Sequence, residues 1–214
     1  MTISNEKVLE NAKDTLITAD RKHRGYILSI VNETILDRTY ATKFLVDDIY
    51  FNSLAQYILY RRCKLLNLSS ELIADVAQHY KAPFPITVET DEIPWEVQFF
   101  DNNFDIISEA RRNTGLIWKE QCVFVATEAI LELAKQSSTF RVALLETHNN
   151  VIVEMSKSLL WGIDAQSSLL SDIAHPELWG GENCYGQALM TAREILKAEA
   201  KFSIKRLMLS RKGV

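Results

Sequence analysis

Glycine and proline are scarce, seven and four residues in 214. That scarcity disfavours a turn-rich all-β sandwich and favours long helices. No stretch approaches the roughly 18 uncharged apolar residues of a membrane span, so no membrane partner is expected. The segment from Met1 to Leu16 carries Glu6, Lys7, Glu10, Lys13 and Asp14. It lacks the apolar core of a signal peptide, so export is not expected and the cytoplasm is the expected compartment. Cysteine is limited to Cys63, Cys122 and Cys184, with no CxxC pair. An odd, widely spaced set reads as reduced thiols and argues against zinc or a disulfide. His23, His79, His148 and His175 are equally scattered, so no metal or other cofactor is expected.

What is present is an ordinary globular composition, 47% hydrophobic and 24% charged. At this length about 70% of the unfolded surface can be buried, enough for one sizeable core. The net charge of −4 argues against strong non-specific nucleic-acid binding, which rests on phosphate neutralisation. Two basic clusters leave a local nucleic-acid contact open. One is Arg21-Lys22-His23-Arg24; the other gathers Lys201, Lys205, Arg206, Arg211 and Lys212.

Periodicity and cap signals give a mainly helical α+β chain with a few short strands. Tyr26 to Val31 and Val151 to Glu154 are apolar, β-branched runs of strand length. Lys43 to Phe51 reads as two short extended pieces around the acidic turn Asp47-Asp48. Ser53 followed three residues later by Gln56 is a capping-box pattern, predicting a helix on to Leu66. Ser69 to Gln78 is a second helix. Pro83, Pro85 and Pro94 forbid a continuous helix, and Ile86, Val88, Val97, Phe99 and Phe100 suggest extended segments. Ile106 to Arg112, Leu116 to Gln136, Phe140 to Glu146 and Tyr185 to Lys201 complete the helices. The organisation expected is an extension over 1–40, a domain over 41–201 with an insertion or lid at 81–105, and a basic tail over 202–214.

The most specific segment runs from Leu178 to Arg193: Trp179, Gly180-Gly181, Glu182-Asn183, then a helix. Glycines let backbone approach a ligand closely, and asparagine offers a donor and an acceptor at one point. The helix start would present N–H groups and a positive dipole end to an anion. An ordinary helix-capping loop explains the same residues.

The pattern W-x-G-x-N-x-x-G-x-x-L-M-x-x-R here closely resembles the C-terminal signature of the NADAR superfamily, N-glycosidases acting on ADP-ribose-like and ribosylated-base compounds. Asn183, Gly186, Leu189, Met190 and Arg193 fit it, behind Trp179 and Gly181. Leu144 to Thr147, Val151 to Glu154 and Leu160 to Ile163 are similar to that family's "LL-x-T … LVE … xWGIG" stretch. Trp118 to Lys135 resembles its "W … IM … AL-x-AKF" helix. Val46 to Leu66 resembles "DG-x-x-Y-x-S-x-E-Q-Y-x-x-Y-R-K-A". The collinear similarity runs from about Phe44 to about Ile195 and implies a single NADAR-like domain.

In one place the chain departs from the pattern. The glutamate of "S-x-E-Q-Y" is catalytic in the family, and Ser53-Leu54-Ala55-Gln56-Tyr57 puts Ala55 there. Hydrolysis of an N-glycosidic bond passes through an oxocarbenium-like sugar, so the site needs a carboxylate to activate water and oppose positive charge. An alanine does neither. Either the chain is a natural inactive relative or the alanine was introduced to trap a ligand; the conserved-looking flanks favour the second.

The resemblance carries further expectations. Lys43, Arg61 and Arg62 are phosphate candidates, Arg62 standing seven residues beyond position 55. Tyr57 either stacks on a base or packs in the core, and Trp161 either floors a base pocket or is plain core. Asp164 either binds ribose hydroxyls and shares acid–base work or is a solvated loop acid. Glu182 is a ribose ligand or a rim charge. Asn183 is the leading ligand, with Gly162, Trp179 and Gly181 around it; Leu189 and Met190 are core. The implied enzyme hydrolyses ADP-ribosylated or phosphoribosylated bases, such as ADP-ribosyl-guanine in nucleic acid or a free nucleotide. The alternative is a binding module that sequesters the same ligand without cleaving it. The sequence leaves the oligomeric state open.

Overall fold

A computed structural model describes residues 28–32, 34–80, 95–164 and 175–210. The cluster Arg21 to Arg24, the Pro83-Pro85 stretch with Ile86 and Val88, and Arg211-Lys212 lie outside the described residues. The chain divides into two compact units. A central unit holds residues 31–141, and a terminal unit holds residues 1–30 with 142–214. Among the described residues helices dominate and strands are three residues long, a mainly helical α+β fold.

The central unit opens on a hairpin, β2 (Phe44–Val46) paired antiparallel with β3 (Ile49–Phe51). Asp47 and Asp48 sit between them at φ 50° and 62°, the two positive values a tight two-residue hairpin turn requires. The edge of β2 is sealed by a side chain. Gln136 Oε1 accepts from Leu45 N at 2.8 Å, and its Nε2 donates to Leu45 O at 2.8 Å. Helix α1 (Leu54–Leu65) starts where Ser53 Oγ accepts from Gln56 N at 3.2 Å, as the capping pattern predicts. Gln56 is fully buried. Its Oε1 accepts from Asn52 N at 2.7 Å, and its Nε2 donates to Val76 O and Ala77 O near the end of α2 (Ser70–His79). One side chain thus fixes both the entry of α1 and the docking of α2. Phe44, Phe51, Tyr57 and Tyr60 pack beneath, with ring centroids 5.0–5.9 Å apart. Such pairs contribute about 0.5–1.5 kcal/mol each beyond burial.

One expectation fails in this unit. Residues Trp95–Asn102 form helix α3, not extended chain. A strand would put Val97 and Phe99 on one face. The helix instead brings Trp95 and Phe99 together, stacked at 5.3 Å, and leaves Val97 45% exposed. Pro94 lies outside the described residues. Asn103 then closes α3, its Nδ2 donating to Phe99 O at 2.8 Å, and α4 (Phe104–Thr114) runs longer than expected. Gly115 ends α4 at φ 63° with its N–H on Arg111 O. Helix α5 (Trp118–Gln136) packs along α1, and α6 (Ser138–Glu146) follows.

In the terminal unit β1 (Leu28–Ile30) lies parallel to β4 (Val151–Val153). Helix α7 (Cys184–Ser210) packs on β4. Arg193 is buried on α7 and donates from Nη1 to Thr147 Oγ1 (2.8 Å) and Asn150 O (2.9 Å), tying the helix to the turn before β4. Helix α7 continues through the segment expected as a separate tail, and every residue from Ala198 to Ser203 is exposed.

The core holds three acidic protons that the unfolded chain would release in base. Burial pushes the Cys63 thiol from 9.0 up to about 12. It also raises the phenols of Tyr57 and Tyr80, with Glu128 beside Tyr57 and Glu96 beside Tyr80 adding to the shift. The folded state therefore keeps these protons where the unfolded state loses them. Stability is full below about pH 9 and falls as pH rises, by up to about 1.4 kcal/mol per pH unit for each group. Urea denaturation at pH 8, 9 and 10 should show this decline, and Cys63→Ala should flatten its first step between pH 9 and 10.

Candidate functional site

The residues singled out in the sequence fall into two groups, one in each unit. In the terminal unit, β4 runs out at Val153 into Glu154, whose side chain is buried. The chain loops and returns, Ile163 N donating to Glu154 O at 3.1 Å and Gly162 N to Ser158 O at 3.0 Å. The segment leading into α7 then lies against this loop. The N–H groups of residues 181, 182, 183, 184 and 185 donate to the carbonyls of residues 163, 159, 162, 160 and 161 respectively. The expectation of open N–H groups for an anion at this helix start is overturned: the loop carbonyls occupy them.

Close backbone approach accounts for two of the glycines. A Cβ on Gly162 would collide with Ser156 Oγ and lie 2.7 Å from Glu154 O; one on Gly181 would collide with Gly162 O. Asn183, expected as the leading ligand, is buried, at φ 50°. Its Oδ1 accepts from Glu154 N at 3.1 Å and its Nδ2 donates to Ile152 O at 2.9 Å. Both ends of the amide are engaged by the backbone of β4 and its exit, so Asn183 clamps the loop. Trp161 is buried, Trp179 and Asp164 are half-buried, and Glu182 is exposed. Asp164 stands at φ 56°, with Oδ2 3.0 Å from where a Cβ on Gly180 would be. Trp161, Gly162, Asp164, Gly181, Glu182 and Asn183 thus share one loop assembly. Sequence reasoning missed Glu154 as part of it; the signal was an acid at the end of a strand otherwise wholly apolar.

In the central unit Ala55 lies in the first turn of α1, 2% exposed, its N–H donating to Arg38 O at 2.8 Å. No acid is present in that turn. Tyr57 is core: it is 1% exposed and sits in the aromatic cluster, with Glu128 close enough to help raise its pKa. Arg61 pairs with the same Glu128 at 3.2 Å. Tyr57 thus takes the core packing that was one of its two expected roles, and Arg61 ties α1 to α5. Lys43 is exposed at the mouth of the hairpin. Arg62 is half-buried, its guanidinium carbon 4.2 Å from the Phe100 ring centroid and 5.1 Å from that of Trp118. Burial holds its pKa below the ordinary arginine value. Among the described residues no group of three or more His, Cys, Asp or Glu is placed to hold a metal ion, and no helix is long and apolar enough to cross a membrane.

A family model of the NADAR domain matches residues 18–197, spanning both units. The chain belongs to the NADAR family. Its fold is similar to the NMR structure of the E. coli protein YbiA, with a TM-score of 0.52 at 16% sequence identity, over 83% of this chain and 89% of that one. At that identity the likeness speaks for the fold. A search of curated proteins finds no match.

The clamp role of Asn183 is open to measurement. Asn183→Asp keeps an acceptor for Glu154 N but sets an oxygen against Ile152 O. It should cost about 2–4 kcal/mol in urea denaturation, given about 1–3 kcal/mol for each buried group left unsatisfied. A cost below about 1 kcal/mol would show that these two bonds do not hold the loop.

Proposed function

We propose that this chain carries the N-glycosidase scaffold of its family, acting on an ADP-ribosylated or phosphoribosylated base, with the general base removed at Ala55. The observation that carries this reading is the first turn of α1. Ser53, Gln56 and Arg38 hold it by four hydrogen bonds of 2.7–3.2 Å besides the one to Ala77 O, and position 55, which the resemblance matches to the family's catalytic glutamate, carries a methyl group. A glutamate there would sit near a helix N-terminus, favoured by about 0.3–1 kcal/mol. Burial at this position would raise its pKa toward the working range of a general base. The net charge of −4 favours a small nucleotide or a single modified base over a long polyanion.

Ala55 itself supports a second reading, a module that binds the ligand and does not cleave it. Restoring the acid separates the two. Ala55→Glu should raise release of free base from ADP-ribosylated guanosine by about 10²–10⁴-fold over the parent chain, read by chromatography of the products. Tight binding of ADP-ribose by both proteins with no release by either would select the binding module. Neither binding nor release would sink both readings.

A further inference from the structure

The hairpin of the central unit has two edges, and the fold closes one of them. On β2, Gln136 gives Leu45 what a neighbouring strand would give, an acceptor for its N–H and a donor for its C=O, both at 2.8 Å. Tyr50 is the cross-strand partner of Leu45. In an antiparallel ladder, opposed residues that do not bond to each other turn their N–H and C=O outward, one to each edge. Leu45 is such a residue, so Tyr50 turns its own N–H and C=O to the outer edge of β3. Among the described residues nothing bonds to them, and Tyr50 is 65% exposed. An open main-chain pair on a strand edge is a template for another chain.

Beside that edge lies an open groove of about 510 Å³. Asp48 and β3 form one wall and α2 the other, Tyr60 lines it between them, and no residue of β2 contributes. Ile73, Ala74 and Ala77 make the α2 wall apolar. The rim is acidic. Asp47 and Asp48 are exposed in the turn, and Glu71 is exposed in the first turn of α2. Against these three acids stands Lys64, its Nζ 5.4 Å from the Tyr60 ring centroid.

The geometry points to a docking site for an extended, basic segment of a partner protein, added to the hairpin as a third strand along β3. Its main chain bonds to Tyr50 as the Gln136 amide bonds to Leu45. An apolar side chain enters the groove toward Tyr60 and Ala74, and the alternate lysine or arginine side chains meet Asp47, Asp48 and Glu71. In such strand addition the main chain supplies affinity and the alternate side chains supply selection. A small apolar molecule would fill the groove and leave Tyr50 unbonded. Residue 55 does not line this groove, so the inference stands or falls apart from the proposed reaction.

The test titrates the full chain, labelled at tyrosine nitrogen, with a capped five-residue peptide of alternating lysine and valine. Tyr50→Phe removes one NMR signal and so assigns it. The Tyr50 N–H signal should move downfield in a saturable way, and its exchange with solvent should slow. Methylating every main-chain nitrogen of the peptide should weaken binding at least about tenfold, because the acceptor at Tyr50 loses its donor. Glutamate in place of lysine should also weaken it about tenfold, and less at high salt. Ala74→Leu, which fills the groove, should weaken it at least about fivefold. Asp48→Asn keeps a residue suited to the positive φ of the turn and should weaken it about threefold. An unmoved Tyr50 signal overturns the proposal, as does equal affinity for the methylated peptide. Equal affinity for the glutamate peptide overturns the basic assignment. If Ala74→Leu does not fold, the parent signal and Asp48→Asn decide in the same way. A chain that dimerises in sedimentation, with Tyr50 N–H protected in the dimer and released on dilution, would assign this edge to a second copy and overturn the partner segment.

Discussion

Backbone hydrogen bonding governs the terminal unit. The loop over residues 154–163 has no regular structure, yet its carbonyls accept the N–H groups of residues 181 to 185. Asn183 bridges Ile152 and Glu154 from the same place. This arrangement requires the chain to run against itself without intervening side chains, which is why Gly162 and Gly181 stand where they do. Asp164, Glu182 and Trp161 are placed as a consequence. Their positions follow from satisfying buried peptide groups, before any ligand is considered.

The central unit is organised by side-chain amides. Gln56 joins the entry of α1 to the end of α2, and Gln136 seals the edge of β2. The aromatic cluster beneath them supplies the hydrophobic energy, while these amides select one register for short elements that have little intrinsic preference. Glu128 ties α5 to α1 through its ion pair with Arg61, and its charge helps to raise the buried phenol of Tyr57.

Local signals were legible where one residue decides an outcome. Ser53 with Gln56, the Asp47-Asp48 turn, and the run Val151 to Glu154 each gave their element within a residue or two. The pattern from Trp179 to Arg193, matched with the stretches upstream, gave the family. Trp95 to Asn102 was misread because alternating Val97 and Phe99 satisfy a strand template, and only the stacking of Trp95 on Phe99 reveals the helical spacing. The backbone role of Asn183 was not legible for a chemical reason: an amide that suits a ligand suits two peptide groups equally. Arg61 and Arg62 are neighbours of one type, and what separates them is Glu128, more than sixty residues away on α5.

The motif at the start of α1 places two kinds of work in four consecutive residues. Ser53 and Gln56 build the scaffold, while residue 55 contributes only a backbone N–H to it. The side chain at residue 55 can therefore be exchanged without removing any hydrogen bond that builds the turn. On the reading proposed above, a single change in the gene at this position would let a lineage abandon turnover and keep its architecture.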